Sequence, residues 1–434
     1  MTIKRDIIDK IIPFLKREEF ISIIGPRQSG KTTLFGIISD YLSTDLKIGM
    51  DHIKYITFED RKLILEFEKD TIAFVRSYMP EKDGGKFYLF IDEFQYVEEG
   101  GQKLKLIYDT VKNIKVFITG SSSLDIKARV GKYMVGRILT FSLYPFNFGE
   151  CLRARDERLE KVYGQRNHEL LGWLFDGKEP ETPNGEDMYF PEFKAEYDRY
   201  CVWGGYPAVC LAGTDTERKK LLSDIYNNYI LKDIKTLLEL ATERNLFLLS
   251  QYLAAQTGGI VVFQNLGKTA ELDYRNLKKH LNVLYETFIC KEVRPFFKNR
   301  QKELSKNPKI YFLDIGFRNN LMDNMTPPEK RPDAGAIVEN TCFVRLNQLC
   351  EGENKINFWR TKAGAEVDFV AHKGDRIISI EIKYSEFSFG KISKSLASFI
   401  SSFSPERAVV LTKNYFGAAR SGKTDVLFYP AYYL

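Results

Sequence analysis

Residues 25–32 read Gly-Pro-Arg-Gln-Ser-Gly-Lys-Thr, the spacing of a phosphate-binding loop. Gly25 and Gly30 let the backbone curl, so that N–H groups around Gln28 and Ser29 face an anion. Lys31 has the reach to meet β- and γ-phosphates, and the Thr32 hydroxyl suits Mg²⁺, with Thr33 next in line. A second acidic signal, Asp92-Glu93, closes the apolar run Phe87-Tyr-Leu-Phe-Ile. Asp92 would hold Mg²⁺ together with Thr32, and Glu93 would polarise an attacking water. P-loop kinases generally lack that adjacent glutamate, so Glu93 favours hydrolysis over phosphoryl transfer to a substrate hydroxyl. The strand Lys115-Val-Phe-Ile-Thr places Thr119, or Ser121 just beyond it, where a γ-phosphate sensor would sit. Gly136-Arg137 supplies either an arginine finger, in its own subunit or a neighbour's, or a surface residue.

A second constellation lies near the carboxyl end. Asp368 falls in Ala365-Glu-Val-Asp-Phe-Val-Ala, and Glu381-Ile-Lys383 in the next apolar run. Alternation along a strand puts Glu381 and Lys383 on one face. A turn at Lys373-Gly374 would set Asp368 opposite Ser379 and Glu366 opposite Glu381. Asp368 and Glu381 would then lie diagonally across one face, able to share a divalent ion, Mg²⁺ or Mn²⁺. Lys383 could orient or deprotonate a water, Glu339 on the preceding helix could add a ligand, and Glu366 is a rival ligand. Asp followed by Glu-x-Lys, with an upstream helical Glu, is the PD-(D/E)xK nuclease pattern. A plain salt bridge from Lys383 to either carboxylate is the competing reading.

These residues need elements to hold them. Phe20-Ile-Ser-Ile-Ile feeds the loop as a buried strand, and a helix follows it. Further strands at 54–58, 87–92 and 115–119 alternate with helices, which implies a parallel sheet covered on both faces. Nucleotide belongs at the strands' carboxyl ends. Ile7, Ile8, Ile11, Ile12 and Leu15 recur at helical spacing and predict a packed amphipathic helix. Residues 151–240 read as a helical lid or linker without chemistry of its own. Three helices then follow, at 246–255, near 265–272 and from Asp273 to Glu286, with Asp273 as N-cap of the last. Two strands, 288–297 and 309–315, complete a winged-helix arrangement. On it, Arg275, Lys278, Lys279 and His280 would lie on or near the recognition helix. Lys298, Arg300, Lys302 and Lys306 would lie in the wing. Packing or protein contact is the bland alternative for such a module. No role attaches to residues 417–423, Arg420 included.

The chain has 434 residues and 44% hydrophobic side chains, enough for several cores. No apolar run reaches the ~18–20 residues of a membrane helix. Six scattered cysteines without a Cys-x-x-Cys pair, and four histidines, argue against a zinc site or a disulfide framework and for the cytoplasm. Net charge is +6. The segment from Lys268 to Lys309 alone holds eleven Lys and Arg against five Asp and Glu, a patch that suits a polyanion such as DNA.

The stretches Gly25 to Leu34, Phe90 to Gln95, Gly120 to Ser123 and Gly136-Arg137 are followed in order by Gly204-Gly-Tyr-Pro207 and Lys309 to Gly316. Val338 to Asn340, Phe358 to Phe369 and Ile380 to Lys383 complete the series. Together they span most of the chain. In them the chain resembles a widespread bacterial and archaeal family of AAA-like P-loop ATPases with a C-terminal restriction-endonuclease-like domain of unknown function. The resemblance implies an α/β protein in four parts: an ATPase core (1–150), the helical lid (151–240), a winged-helix-like domain (241–325) and a PD-(D/E)xK nuclease-like domain (326–434). It also implies ATP and Mg²⁺ as cofactors, and it settles no physiological role. The expected function is ATP hydrolysis coupled to a DNA-binding C-terminal domain, with DNA cleavage as its further activity. The alternative is an ATP-dependent switch or scaffold for a protein partner, built on an inactive nuclease fold. A homo-oligomer is compatible with either reading.

Overall fold

A computed structural model describes residues 2–80, 84–120, 130–181, 185–227, 243–297, 299–387 and 389–434. Ser121 and Lys298 lie outside the described residues. The chain divides into two units, one of residues 1–145 with 286–288 and one of residues 146–285 with 289–434.

The first unit is built on β1 (Phe20–Ile24), β2 (Ile53–Thr57), β3 (Phe87–Asp92), β4 (Ile114–Gly120) and β5 (Ile138–Ser142). They form one sheet in the order β2-β3-β4-β1-β5, with every pairing parallel. Strands β1, β3 and β4 are buried along their whole length, which is why they read as unbroken apolar runs. The outer strands β2 and β5 carry mixed patterns because one edge of each is open. β4 sits between β1 and β3, so the carboxyl ends of all three open side by side. The helix Lys31–Thr44 buries Leu34, Phe35, Ile38 and Leu42 against this sheet. Ile8, Ile11 and Leu15 from the amino-terminal helical segment join the same core.

The second unit holds a nine-stranded sheet. Its strands are β6 (Gly185–Glu186), β7 (Cys290–Pro295), β8 (Lys309–Phe312), β9 (Lys355–Arg360), β10 (Glu366–Lys373), β11 (Arg376–Lys383), β12 (Arg407–Thr412), β13 (Tyr415–Ser421) and β14 (Thr424–Pro430). Their order is β6-β13-β14-β12-β11-β10-β9-β7-β8. β10 and β11 form an antiparallel hairpin, whereas β11, β12 and β14 run parallel. The helix Lys394–Phe403 links β11 to β12 and covers one face through Leu396, Phe399 and Ile400. The stretch 417–423 is part of the β13–β14 hairpin, which turns at Gly422 with φ 62°.

The three helices before β7 occupy Glu243–Ala255, Phe263–Thr269 and Tyr274–Glu286. The Asp273 carboxylate accepts from the N–H groups of Arg275 and Asn276, as an N-cap does. The strand pair that follows is no free-standing wing. β7 pairs with β8 on one side and with β9 on the other, so the hairpin is part of the large sheet. The connection between β7 and β8 carries a short helix, Arg300–Ser305. The loop Gly204-Gly205 also docks within this unit. The Asp314 carboxylate accepts from the Gly205 N–H at 2.8 Å, and a Cβ on Gly204 would collide with that carboxylate.

Candidate functional site

The loop after β1 has the shape that anion binding requires. Gln28 and Gly30 take left-handed conformations (φ 60° and 94°), and Gly30 leads directly into the helix Lys31–Thr44. A Cβ on Gly25 would overlap the Leu143 carbonyl oxygen, so only glycine fits there. The Lys31 ammonium donates to the carbonyls of Gly25 (3.0 Å) and Pro26 (2.9 Å) and so lies across the loop. The Ser29 hydroxyl is buried without a protein partner. Arg5, buried in the same unit, braces the loop from behind. It donates to the carbonyls of Ser29 (2.9 Å) and Tyr144 (2.7 Å).

Asp92, 3% exposed at the end of β3, is the hub of this centre. Its carboxylate accepts from the Thr32 hydroxyl at 2.5 Å, the Tyr55 hydroxyl at 3.0 Å, the Thr119 hydroxyl and the Glu93 N–H at 3.1 Å. The Glu93 N–H also donates to the Thr119 hydroxyl oxygen at 2.9 Å. Glu93 adopts φ 56°, ψ 43°, a conformation that costs a non-glycine residue about 1–2 kcal/mol. Asp92 and Thr119 thus fix the backbone turn that projects the Glu93 carboxylate, which accepts from the Gln95 amide. Burial, then Asp92, pushes the Tyr55 phenol well up, so it remains a donor. Thr32 and Asp92 meet as a hydroxyl–carboxylate pair, a donor set that fits Mg²⁺. Thr33 follows on the exposed first turn of the helix.

Arg137 does not join this centre. Its carbonyl accepts from the Phe20 N–H at the start of β1, the opposite end of the sheet from the loop. Five residues of strand separate it from the loop, about 15 Å. Its guanidinium pairs with Asp109 at 3.3 Å and lies over the Tyr108 ring. The finger role within its own subunit is therefore corrected: β5 runs parallel to β1, so a residue preceding β5 must lie at the sheet's amino edge.

The second unit brings the carboxyl-terminal residues together, in a register other than the expected one. Lys373 pairs with Arg376, so the two-residue turn is Gly374-Asp375, with Gly374 at φ 60°. Val370, not Asp368, lies opposite Ser379. A left-handed glycine at the first turn position decides this register. The regular pairing with β11 ends at Phe369 opposite Ile380, and β10 carries an irregularity against β9 between Val367 and Val370, so Asp368 lies in the irregular part of β10 and Glu366 beyond it.

The Glu381 side chain, 1% exposed, accepts from the Ser393 hydroxyl at 2.8 and 2.9 Å and lies 3.2 Å from the Lys383 ammonium. Ser393 also accepts from the Leu396 N–H, which ties the cap of the helix Lys394–Phe403 to this carboxylate. One Asp368 oxygen accepts from the Ile382 N–H at 2.7 Å. Burial, and then the Glu339 charge, pushes the Asp368 carboxyl up to about 7. Glu339, on the helix Ala334–Cys350, accepts from the Tyr311 hydroxyl at 2.5 Å.

Lys309, the first residue of β8, was not foreseen here, since it closes a segment that reads as a solvated basic patch. Its side chain is 1% exposed, and its ammonium lies 3.0 Å from Glu339 and 2.5 Å from Glu366. Burial opposes its charge, but Glu339 and Glu366 more than offset this and hold it above the usual lysine range. Glu366 also meets Arg360 at 3.3 Å. Among the described residues no group of three or more His, Cys, Asp or Glu side chains is arranged as metal ligands. Mg²⁺ is commonly held by one or two carboxylates together with water and substrate phosphates.

On the expected recognition helix, Arg275 and Lys279 are exposed. Lys278 packs its ammonium 3.7 Å from the centre of the Phe263 ring. His280 is corrected: it is 2% exposed, and its Nδ1 pairs with the Asn276 carbonyl oxygen, so it faces the core. Lys302 and Lys306 are exposed on the β7–β8 connection. No helix among the described residues is long and apolar enough to cross a membrane.

Residues 17–152 match the family model described as an AAA domain. Residues 194–328 and 334–432 match two domains of unknown function, DUF8612 and DUF4143. An uncharacterized protein of Methanocaldococcus jannaschii is 26% identical over 385 residues, covering 85% of this chain and 74% of its own length. One of Mycobacterium tuberculosis is 22% identical over 401 residues, covering 91% and 76%. Among solved structures, a Walker-type ATPase of Pyrococcus abyssi aligns with a TM-score of 0.44 at 15% identity, covering 74% of this chain and 96% of its own. The Aeropyrum pernix ORC1 protein, solved in complex with DNA, aligns at 0.29 and 14%, covering 73% and 90%. The phosphate-binding loop, the Asp92 hub, Thr119 and Glu93 all lie within the residues that match the AAA domain model.

Proposed function

We propose that this protein hydrolyses ATP with Mg²⁺ at the P-loop and couples its nucleotide state to a DNA-directed, nuclease-like centre in the second unit. The observation that carries the reading is the hydrogen-bonded chain Thr32–Asp92–Thr119–Glu93. It joins a metal-binding hydroxyl, an acidic hub, a sensor threonine and a glutamate aimed from the strand end. Lys31 would turn from the loop carbonyls to the β- and γ-phosphates. Glu93 would orient and deprotonate the attacking water, and Thr119 would relay the presence of a γ-phosphate to that glutamate through its N–H.

In the second unit, Asp368 and Glu381 would hold a divalent ion against a DNA phosphate, with Lys383 beside the attacking water. Bound metal would supply Lewis acidity and a more acidic water. Exposed Arg275, Lys279, Lys302 and Lys306 would neutralise the DNA backbone. A second reading, a nucleotide-driven scaffold with an inactive nuclease fold, draws on the engagement of Glu339, Glu366 and Glu381 by lysines of the chain itself.

Phosphate release and plasmid cutting with Mg²⁺ or Mn²⁺, each with and without ATP, test both steps. The comparison proteins are Lys31→Ala and the pair Glu381→Ala with Lys383→Ala. Lys31→Ala is expected to lose ATP binding while staying folded. Tight ATP binding by that variant would defeat the P-loop assignment. Cutting by the parent that the paired variant loses supports the nuclease reading; equal cutting by both removes it. No cutting under any nucleotide selects the scaffold.

A further inference from the structure

A buried lysine between two carboxylates is a costly thing to fold, and its place in this centre calls for a reason. Lys309 stands on β8, outside the helix–strand–strand set that supplies Glu339, Asp368 and Glu381. Its ammonium nevertheless reaches Glu339 at 3.0 Å and Glu366 at 2.5 Å with almost no exposure. The Tyr311 hydroxyl, two residues along the same strand, donates to the same Glu339 oxygen. The other pair is held differently: Asp368 by the Ile382 N–H, and Glu381 by Ser393 and Lys383. Four carboxylates therefore fall into two pairs. Glu339 and Glu366 share the buried Lys309, whereas Glu381 meets the exposed Lys383 and Asp368 the Ile382 N–H.

We propose that the Lys309 ammonium occupies a cation position between Glu339 and Glu366, so that the centre takes one divalent ion fewer than its carboxylates could hold. The proposal rests on reading this centre as metal-binding. In two-metal phosphoryl-transfer sites a second ion sits a few ångströms from the first and bridges shared carboxylates. Here a fixed side chain supplies that charge, which cannot be chelated away. Lys309 is thus a positioning residue: it holds Glu339 and Glu366 without touching a substrate. Removing its charge while keeping its length would leave the half-buried Glu339 with the neutral Tyr311 hydroxyl and Glu366 with the Arg360 contact, both beside Asp368 and short of one positive charge. That demands a replacement cation.

The test is to count bound Mn²⁺ per chain in the full-length protein at pH 8 without nucleotide, by calorimetry and by the paramagnetic resonance of free Mn²⁺. The parent, Lys309→Met and Lys309→Arg are compared, with circular dichroism to check folding. Lys309→Met is expected to bind one more Mn²⁺ than the parent, and Lys309→Arg the same number as the parent. An unchanged count in a folded Lys309→Met overturns the proposal. If the parent still binds one ion that Asp368→Asn removes, the metal-binding reading survives that failure. A gain in Lys309→Met over a parent that binds none supports the proposal and removes the metal-dependent nuclease reading for the natural chain. No ion in either protein overturns both. Should Lys309→Met fail to fold, Glu366→Gln decides. With Lys309 as its partner, Glu366 is no ligand and the parent's count is unchanged, whereas loss of an ion would show Glu366 to be a ligand and overturn the proposal.

Discussion

The two centres satisfy their carboxylates in opposite ways. In the first unit, Asp92 is surrounded by neutral donors: three hydroxyls, from Thr32, Tyr55 and Thr119, and one backbone N–H. In the second, Glu339, Glu366 and Glu381 each meet a lysine. Neutral donors leave the Asp92 charge in place, so a cation arriving with a nucleotide gains its full attraction. Built-in ammonium groups cancel charge in advance and reduce what a metal gains. The first centre is thus set for a ligand that brings its own metal and leaves again, and the second carries part of its cation with it.

The largest effect expected from this contrast is at Glu93. Its carboxylate is aimed by a strained turn and belongs to no metal ligand pair, so its loss should strike turnover and spare binding. Glu93→Gln should lower kcat for ATP hydrolysis by about 10²- to 10⁴-fold with little change in ATP affinity. Steady-state phosphate release together with equilibrium nucleotide binding measures both. A kcat within a few-fold of the parent would move the base elsewhere and make the Asp92 hub a binding feature only.

The first centre was largely legible because a P-loop is contiguous and its chemistry is carried by the backbone. Gly25, Gly30, Lys31 and Thr32 are placed by their own neighbours, and Asp92 by the apolar strand that ends on it. Tyr55 and Arg5 were not legible. Each reaches the site across the sheet or behind the loop, and nothing in the adjacent residues records that path. Arg137 misled because proximity in sequence to β4 hid the return of the chain to the amino edge of the sheet. In the second unit the two strands were legible and their register was slipped, since the turn was centred one residue early and Gly374 belonged at its first position. Lys309 was hidden by its setting among exposed basic residues. Its burial follows from β7 and β8 joining the nine-stranded sheet, a pairing between segments some sixty residues apart. The motif pair Gly204-Gly205 and Asp314 likewise marks a steric fit in the fold, where no side chain at 204 is tolerated.

A pH experiment sharpens the contrast from the other side. Asp368 is raised to about 7 from an ordinary 3.8, first by burial and then by Glu339. The folded protein therefore holds a proton there that the unfolded chain has released. Its contribution favours folding at acid pH and is lost as pH rises from about 4 through about 7. Asp368→Asn, which stays neutral, should stabilise the metal-free protein above pH 7, by up to about 4 kcal/mol. That gain should fade toward pH 4. Chemical denaturation at pH 8 and pH 5 in a chelator checks it. A gain independent of pH would show that the charge at 368 is not what the fold resists.

Arg5 offers a smaller test of the first centre. Arg5→Met keeps the length of the side chain and leaves the carbonyls of Ser29 and Tyr144 without their donor, at a cost of about 1–3 kcal/mol. Because the brace sits behind the phosphate loop, ATP affinity should weaken by severalfold while kcat at saturation holds. A fall in kcat at unchanged affinity would place Arg5 in the chemistry and not in the scaffold.

A surface effect of similar size is expected at Lys279, and it decides whether the second centre is supplied with DNA at all. Lys279 is exposed on the helix Tyr274–Glu286, whose buried face is Leu277, His280, Leu281 and Leu284. A reversal of charge there leaves the core untouched. If this face meets a duplex, each phosphate contact contributes a slope of about −0.9 to the dependence of log affinity on log salt. Lys279→Glu should then weaken binding by about tenfold or less, on all sequences alike, and flatten that slope by about one. Lys302→Glu on the β7–β8 connection should act in the same direction if the two surfaces track one backbone. An unchanged slope in both variants would detach the basic segment from DNA. The lysines of the second unit would then matter through Lys309, as charge held inside the centre and not offered at its surface.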